Sequence, residues 1–178
     1  VYELGSVFKT FTVAAGFHEE LIEPNTEYLN LEKKLPCDKF VIREYSDKIP
    51  TNLTVEQILI RSGNVGSVKI GQKLGKDKFK SFLENIGVLN KIDFDIEEIG
   101  RPIPFKWGKC KLATVSYGHG ITTTPLQLAK GYAIISNGGF HIKPTLIKKE
   151  LSEINNKKRV IKKGVSKKIN SILRKIVT

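Results

Sequence analysis

The sequence has no methionine, two cysteines and one tryptophan among its 178 residues. A complete cytoplasmic reading frame keeps an initiator or some internal methionines, and the end of the chain, 174–178, stops inside a helical pattern. We therefore expect an excised piece of a longer protein. The two cysteines are single and far apart, which excludes a Cys-x-x-Cys redox site, a zinc cluster and a disulfide-rich scaffold. One disulfide between Cys37 and Cys110 remains open.

Long hydrophobic runs are also missing. No apolar run approaches the roughly 20 residues that span a bilayer, and no charged leader followed by an apolar block opens the chain. The piece is therefore expected to be soluble as it stands. Its length fits one domain or a large part of one, and 40% hydrophobic residues suffice for a core.

Arginine is scarce although the chain is basic, with a net charge of +12. Of its 30 basic residues, 25 are lysine, and isoleucine occurs 21 times, so a bias toward A/T-rich codons accounts for much of the charge. Arginine binds phosphates and base edges through two parallel hydrogen bonds and is better suited to them than lysine, so its scarcity weakens the interpretation that the chain binds nucleic acid. The basic residues 157–159 and 162–163 could bind anionic lipid or nucleic acid, but we favour a solvated surface.

Hydrophobic periodicity predicts a mostly helical chain. Val7–Phe17 is apolar on nearly every face, which is typical of a helix buried in the middle of a domain. Thr54 with Gln57, and Thr124 with Pro125 and Gln127, are helix-start signals, and Thr122 and Thr123 are assigned to the second of them. The predicted helices cover residues 7–17, 54–60, 65–74, 77–86, 124–136 and 166–176. Between them we expect loops and short extended pieces over 21–50, irregular structure over 91–108, and an extended segment or hairpin over 140–150.

Ser6 and Lys9 stand three residues apart at a helix start, so both side chains lie on one face. A serine hydroxyl is a poor nucleophile until a base takes its proton, and burial lowers the pKa of a lysine enough to make it such a base. The helix N-terminus would favour negative charge that develops at Ser6. By itself Ser-x-x-Lys is a weak motif, and Ser62-Gly63-Asn64 could equally be a polar linker between two helices.

Three separated blocks raise the specificity of these short motifs. Together they resemble the class B penicillin-binding proteins, the monofunctional peptidoglycan transpeptidases of division and elongation, and more closely the division type. Order and spacing match over essentially all 178 residues. The blocks are Gly5–Ala15; Ser62–Gly66 with Lys69–Ile70 and Leu74–Gly75; and Leu112–Ile121 with Thr124–Ala129, Tyr132–Ala133 and Asn137–Gly139.

The resemblance implies a role for each residue that matches a family motif. Ser6 corresponds to the acylated nucleophile, Lys9 to its general base, Ser62 to a proton relay to the leaving amine, and Asn64 to the amide that orients the substrate backbone. The loop Tyr117-Gly118-His119-Gly120 would border the cleft and bind substrate, although a simple loop role is equally open. The family's reaction requires no metal or organic cofactor.

The implied fold is the α+β penicillin-binding protein/serine β-lactamase-like transpeptidase fold. Residues 1–178 would be a partial transpeptidase domain, truncated at both ends, mostly helical and lacking most of the central antiparallel sheet. The family's third motif, Lys-Thr-Gly, is absent from the sequence, and with it one oxyanion-hole amide, whose loss commonly reduces the rate by about 10²- to 10³-fold. We therefore expect the piece alone to be inactive or weak. We also expect the sheet-facing side of the first helix to be uncovered, with poor solubility or molten character.

The expected function of the parent protein is cross-linking of peptidoglycan stem peptides by serine acyl transfer, with β-lactams acylating the same Ser6. The family also implies a membrane anchor outside this chain, a catalytic domain on the periplasmic or extracellular face of the cytoplasmic membrane, and other cell-wall synthesis or division proteins as partners. Two alternatives stay open: a serine β-lactamase or β-lactam sensor, which Gly63 in place of Asp disfavours within class A, and a non-enzymatic basic binding module. A Ser-His arrangement is disfavoured because no Gly-x-Ser-x-Gly elbow surrounds Ser6, and Trp107 is interpreted as a packing residue.

Overall fold

The computed structural model describes residues 1–108, 110–148 and 158–177, and most of its regular structure is helical. A 3₁₀ turn, Gly5–Phe8, leads into the first helix. The helices are α1 (Lys9–His18), α2 (Val55–Ile60), α3 (Asn64–Leu74), α4 (Lys76–Asn85), α5 (Lys111–Val115), α6 (Pro125–Ser136) and α7 (Lys163–Val177). The strands are β1 (Tyr2–Glu3), β2 (Glu27–Tyr28), β3 (Lys34–Cys37), β4 (Phe40–Arg43), β5 (Leu53–Thr54) and β6 (Thr122–Thr123), paired antiparallel as β1 with β6, β2 with β5 and β3 with β4.

Helix α1 is the centre of the described structure. Every residue of Lys9–Phe17 is buried, as the apolar pattern predicted, and α2, α3, α4 and α7 all pack against the helix. Phe8 and Phe11 contact each other edge to face in this core, with ring centroids 5.4 Å apart. The expectation that one side of this helix is uncovered is therefore wrong, because α7 and the neighbouring helices enclose it.

The helix ends follow from local sequence chemistry. Both predicted helix starts are present, and both are capping boxes: the Gln57 amide donates to Thr54 Oγ1 over 3.2 Å, and the Gln127 amide donates to Thr124 Oγ1 over 3.1 Å. Gly75, with φ 79°, ends α3 in a conformation that side-chain-bearing residues rarely adopt. The predicted helices over 54–60, 65–74, 77–86 and 124–136 are thus confirmed to within a residue or so of their observed bounds.

Three local features differ from the sequence predictions. Thr122 and Thr123 form strand β6 rather than part of a helix start, because they pair with Glu3 and Tyr2 from the other end of the chain. Helix α5 was not predicted, since five residues are too few to show a helical period. Of the extended segment expected over 140–150, only Phe140 makes a β-bridge, with Arg159; residues 141–148 hold no strand, and 149–150 lie outside the described residues.

The last helix and the basic residues before it lie at the surface. Helix α7 begins at Lys163, three residues before the predicted start. Arg159 stacks on the Phe140 ring at 4.1 Å, and Lys162 pairs with Glu20 at 2.8 Å, while Lys157 lies outside the described residues. Within 1–108, 110–148 and 158–177, no helix has the length and hydrophobicity needed to cross a membrane.

Cys37 and Cys110 form a disulfide, with Cα atoms 5.6 Å apart. The sequence left this pairing open, since nothing local relates two cysteines separated by 73 residues. The bond joins the end of β3 to the residue before α5, and therefore ties the β3–β4 hairpin to the segment that leads into Tyr117–Gly120.

Breaking this disulfide is expected to lower the free energy of unfolding by about 4 kcal/mol, the value of the chain-entropy relation for a loop of this length. The measurement is thermal unfolding of the full-length protein with and without a reductant. A Cys37→Ser/Cys110→Ser variant should melt at the reduced protein's temperature and be insensitive to reductant. Equal melting temperatures for oxidised and reduced wild type would contradict the prediction.

Candidate active site

Ser6, Lys9 and Ser62 are brought together at the N-terminal end of α1. The 3₁₀ turn continues directly into the helix, so Lys9 Nζ lies 3.0 Å from Ser6 Oγ. The same nitrogen donates to the Ser62 carbonyl oxygen over 2.6 Å and to Ser62 Oγ over 2.9 Å. Ser6 is exposed, whereas Lys9 is 0% exposed. A solvent-accessible hydroxyl thus adjoins a buried amine whose three hydrogens, when it is charged, all have acceptors.

Burial lowers the pKa of Lys9 from 10.5 to about 8, and the Glu44 carboxylate opposes that shift. Near neutral pH an appreciable fraction of this lysine is uncharged. The lone pair of the uncharged amine can accept the proton of Ser6, which is 3.0 Å away, so the pair has the chemistry of a base and its nucleophile.

Ser62 has a left-handed backbone, with φ 54°, in the turn between α2 and α3. Its amide donates to the Leu59 carbonyl over 3.1 Å, and the Gly63 amide donates to the Ile58 carbonyl over 2.9 Å. Non-glycine residues adopt this conformation only where the surroundings enforce it. Here it coincides with a turn that directs both oxygens of one serine toward Lys9.

Asn64 is the first residue of α3, and its position depends on the end of strand β4. Its side-chain Nδ2 donates to the Arg43 carbonyl over 2.8 Å. The backbone amides of Asn64 and Val65 donate to the two oxygens of Glu44, over 2.7 and 2.9 Å. The side chain is therefore oriented before any substrate arrives, and its predicted contact with a substrate backbone remains a prediction.

The loop Tyr117–Gly120 lies beside the turn that carries Ser6. The Gly5 amide donates to the Gly118 carbonyl over 3.1 Å, and the Gly120 amide donates to Glu3 Oε1 over 2.8 Å. His119 Nδ1 lies 3.4 Å from the other Glu3 oxygen, and the ring of Tyr117 is 4.8 Å from that of His119. The four loop residues thus lie next to the site, as the resemblance implies, while substrate binding by them remains a prediction.

Two further side chains, Thr12 and Tyr132, hold helix α1 and the turn before it against their neighbours. Thr12 Oγ1 donates to the Ser116 carbonyl over 2.8 Å, just before this loop. The Tyr132 hydroxyl of α6 lies 2.8 Å from the Val7 carbonyl oxygen and 2.9 Å from Thr10 Oγ1. Sequence reasoning did not single out these supports, because each joins residues more than 100 positions apart and no local pattern marks them.

Two other residues whose side chains could have a chemical role, His18 and Trp107, make ordinary packing contacts. His18 ends α1 and lies 5.6 Å from the Phe82 ring, and Trp107 packs on Phe105 at 5.1 Å. In the described ranges no group of three His, Cys, Asp or Glu side chains could hold a metal ion.

Replacing Gly118 with alanine is expected to reduce covalent labelling by a fluorescent penicillin at least about tenfold. The new Cβ would lie 1.9 Å from the Gly5 carbonyl oxygen, and the φ of 88° is strained for alanine by about 1–3 kcal/mol. Relief of this clash requires a shift of the loop or of the Gly5–Ser6 turn, and either shift changes how the loop meets Ser6. The control is Gly108→Ala, whose Cβ meets nothing within 4 Å. Equal labelling of the two variants would contradict this placement of the loop.

The site has the chemistry of a serine acyltransferase. A serine at a helix start is hydrogen-bonded to a buried lysine of lowered pKa, and the same lysine amine is hydrogen-bonded to a second serine hydroxyl. The family comparison agrees with this class. Residues 1–178 match the model of the penicillin binding protein transpeptidase domain, and the chain belongs to that family. The family that the sequence motifs indicated is thereby confirmed.

Individual relatives give the same picture. The chain is 29% identical to the probable peptidoglycan D,D-transpeptidase FtsI of Caulobacter vibrioides over 84% of this chain and 25% of that protein. It is 26% identical to the stage V sporulation protein D of Bacillus subtilis over 99% of this chain and 29% of that protein. The chain thus spans between a quarter and a third of these relatives.

A solved structure of the transpeptidase domain of Burkholderia pseudomallei penicillin-binding protein 3 superimposes with a TM-score of 0.91. The match has 23% identity and covers 99% of this chain and 54% of that one. The expected fold class is therefore confirmed, including its mostly helical content in this chain.

Proposed function

We propose that the protein containing this chain is a serine-type D,D-transpeptidase that cross-links peptidoglycan, in the division type of cell-wall synthesis. The observation that carries the proposal is the shared amine: Lys9 Nζ lies within 3.0 Å of both Ser6 Oγ and Ser62 Oγ. Membership in the transpeptidase family and the names of the relatives support the same reaction.

The contacts suggest how each proton moves. Uncharged Lys9 takes the hydroxyl proton of Ser6 as Ser6 Oγ attacks the carbonyl carbon between the last two D-Ala residues of a stem peptide. The peptide C–N bond breaks, an ester to Ser6 forms, and Ser62 Oγ passes the proton from Lys9 to the departing D-Ala amine. An acceptor amine from a second stem then attacks the ester, and the proton returns along the same path to Ser6. Every proton transfer uses a group of the chain, and Asn64 would hold the stem backbone.

β-Lactams are proposed to acylate the same serine, since their amide resembles the bond that Ser6 attacks. The stable ester would make them covalent ligands of the site. The peptidoglycan stem peptides and these antibiotics are the partners that the family supports most directly. Other cell-wall synthesis or division proteins would be recruited by parts of the protein outside this chain.

The disulfide supports a location outside the cytoplasm, because such bonds persist in oxidising compartments. We propose the outer face of the cytoplasmic membrane, reached through a membrane anchor elsewhere in the protein. This is also where peptidoglycan lies.

The test is to incubate the full-length protein with a stem peptide ending in D-Ala-D-Ala and an amine acceptor, and to measure released D-Ala and cross-linked product by mass spectrometry. Release together with cross-linked product supports transpeptidation. Rapid turnover of penicillin would favour the β-lactamase alternative instead. No released D-Ala and no covalent penicillin adduct would contradict an acyl-transfer function.

A further inference from the structure

Glu44 lies outside all the motifs of the site, yet its carboxylate ends on one of them. It directly follows strand β4, and its two oxygens accept hydrogen bonds from the backbone amides of Asn64 and Val65, over 2.7 and 2.9 Å. These are the first two amides of α3, and the residue before them, Gly63, has no side chain to cap the helix. The Glu44 carboxylate, which is distant in sequence, therefore caps the first amides of α3, as a Ser, Thr or Asp immediately before a helix commonly does.

The helix end that Glu44 caps is the turn that carries the site's second serine and its amide. Ser62 is two residues before Asn64 and holds a left-handed φ of 54°, which the surroundings must enforce. The backbone carbonyl oxygen of the preceding residue, Arg43, accepts a hydrogen bond from the side-chain amide of Asn64 over 2.8 Å. Two successive residues at the end of one strand thus fix both the backbone and the side chain of Asn64.

The same carboxylate acts electrostatically on the base. Burial lowers the pKa of Lys9, and the charge of Glu44 raises it, which favours the protonated amine. Among the described residues, other titratable groups beside the site include Glu3 of β1, Tyr117 and His119 of the loop, and Tyr132 of α6. Within the described ranges, Glu44 is the charged group whose effect on the Lys9 pKa is resolved.

We propose that Glu44 is a positioning residue for acyl transfer: its carboxylate fixes the start of α3, and through it Ser62 and Asn64. This inference rests on the proposed function. Removal of a plain helix cap lowers stability only. Removal of a positioning residue also changes the acylation rate at high pH, where Lys9 is uncharged, and the pH at which Lys9 titrates.

The test compares full-length wild type with Glu44→Gln, Glu44→Asp and a control, Glu56→Gln. Glu56 is also a carboxylate in the first turn of a helix, α2, and is ion-paired with Lys175 at 2.8 Å. The quantity measured is the second-order rate constant of acylation by a fluorescent penicillin from pH 6 to 10. Thermal unfolding of each variant is followed in parallel.

Glu44→Gln should lower the high-pH plateau of the rate by about 10- to 100-fold, the effect of a small misplacement of reacting groups. The substitution should also shift the rise of the acylation rate with pH to lower pH, because the charge that raises the Lys9 pKa is gone. Glu44→Asp keeps the charge but is one methylene shorter. Its acylation rate should therefore rise at the same pH as in wild type but reach a lower plateau. Glu56→Gln should match wild type in both.

A plateau and a rise with pH unchanged in Glu44→Gln, with only a lower melting temperature, would reduce Glu44 to a structural cap and overturn the proposal. If Glu44→Gln does not fold, Glu44→Asp decides, because a wild-type plateau in that variant contradicts the positioning role. Wild type that takes no penicillin label at all contradicts the proposed function itself, and the positioning role with it.

Discussion

Replacing Ser6 with alanine is expected to abolish covalent labelling of the full-length protein by a fluorescent penicillin, with a loss of at least about 10⁴-fold in rate, the scale found when a nucleophile is removed. Ser6 Oγ is the exposed oxygen within 3.0 Å of the buried Lys9 amine, and alanine leaves nothing to form the ester. Because the Ser6 side chain is exposed, the fold should be unaffected.

The control for this variant is Ser81→Ala, an exposed serine on α4 that makes no described contact with the site. It should label like wild type, and both variants should melt at the wild-type temperature. Equal labelling of Ser6→Ala and wild type would show that another residue is acylated, and the assignment of the site would be wrong.

Replacing Lys9 with methionine is expected to lower the acylation rate by about 10²- to 10⁴-fold, the usual contribution of a general base. Methionine has nearly the same length and no charge, so it suits a position that is 0% exposed. Because the pKa of Lys9 is lowered to about 8, the wild-type rate should rise with pH. About a tenth of the amine is uncharged at pH 7, about half at pH 8 and about nine tenths at pH 9. The rate of Lys9→Met should be flat over this range.

The matched control is Lys130→Met in α6. Lys130 is also buried, at 8% exposure, and burial likewise lowers its pKa, but its amine lies against Gly87 and not against either serine. This variant should keep the wild-type rate and its rise with pH. A rising profile in Lys9→Met would mean that another group is the base.

Local chemistry explains which parts of the fold could be predicted. The capping boxes at Thr54 and Thr124 and the helix stop at Gly75 depend on residues within one turn, so the sequence contains all of the relevant interaction. The apolar run of Val7–Phe17 likewise predicts burial, which holds for Phe8–Phe17, whereas Val7 is exposed. The structure contains these features because no contact with residues far along the chain competes with the local interactions.

The missed features depend on partners far along the chain. Strand β6 exists because Thr122 and Thr123 meet β1, and the closed surroundings of α1 depend on α7, which begins more than 140 residues later. The disulfide of Cys37 and Cys110 is of the same kind. Periodicity within a short window contains no information about such pairings.

The candidate site divides in the same way. The contact of Ser6 with Lys9 follows from a three-residue spacing on a helix. The contact of Lys9 with Ser62 spans 53 residues and was expected only through resemblance to a family. Glu44 belongs to neither group, because it has no motif and becomes visible only when the end of β4 is seen against the start of α3.

The disulfide also separates the two serine motifs of the site along the covalent chain. It closes a covalent ring from Cys37 to Cys110 that contains Ser62 and Asn64 but leaves Ser6 and Lys9 on the tail before it. A protease that cuts once within residues 38–109 therefore leaves one molecule on a non-reducing gel and two on a reducing gel. In the reduced lanes, a label on Ser6 travels with the amino-terminal fragment, whereas a label on Ser62 travels with whichever fragment the position of the cut assigns to it. A cut between Cys37 and Ser62 sends the two labels to different fragments, so the reducing gel then distinguishes the two serines without any substitution.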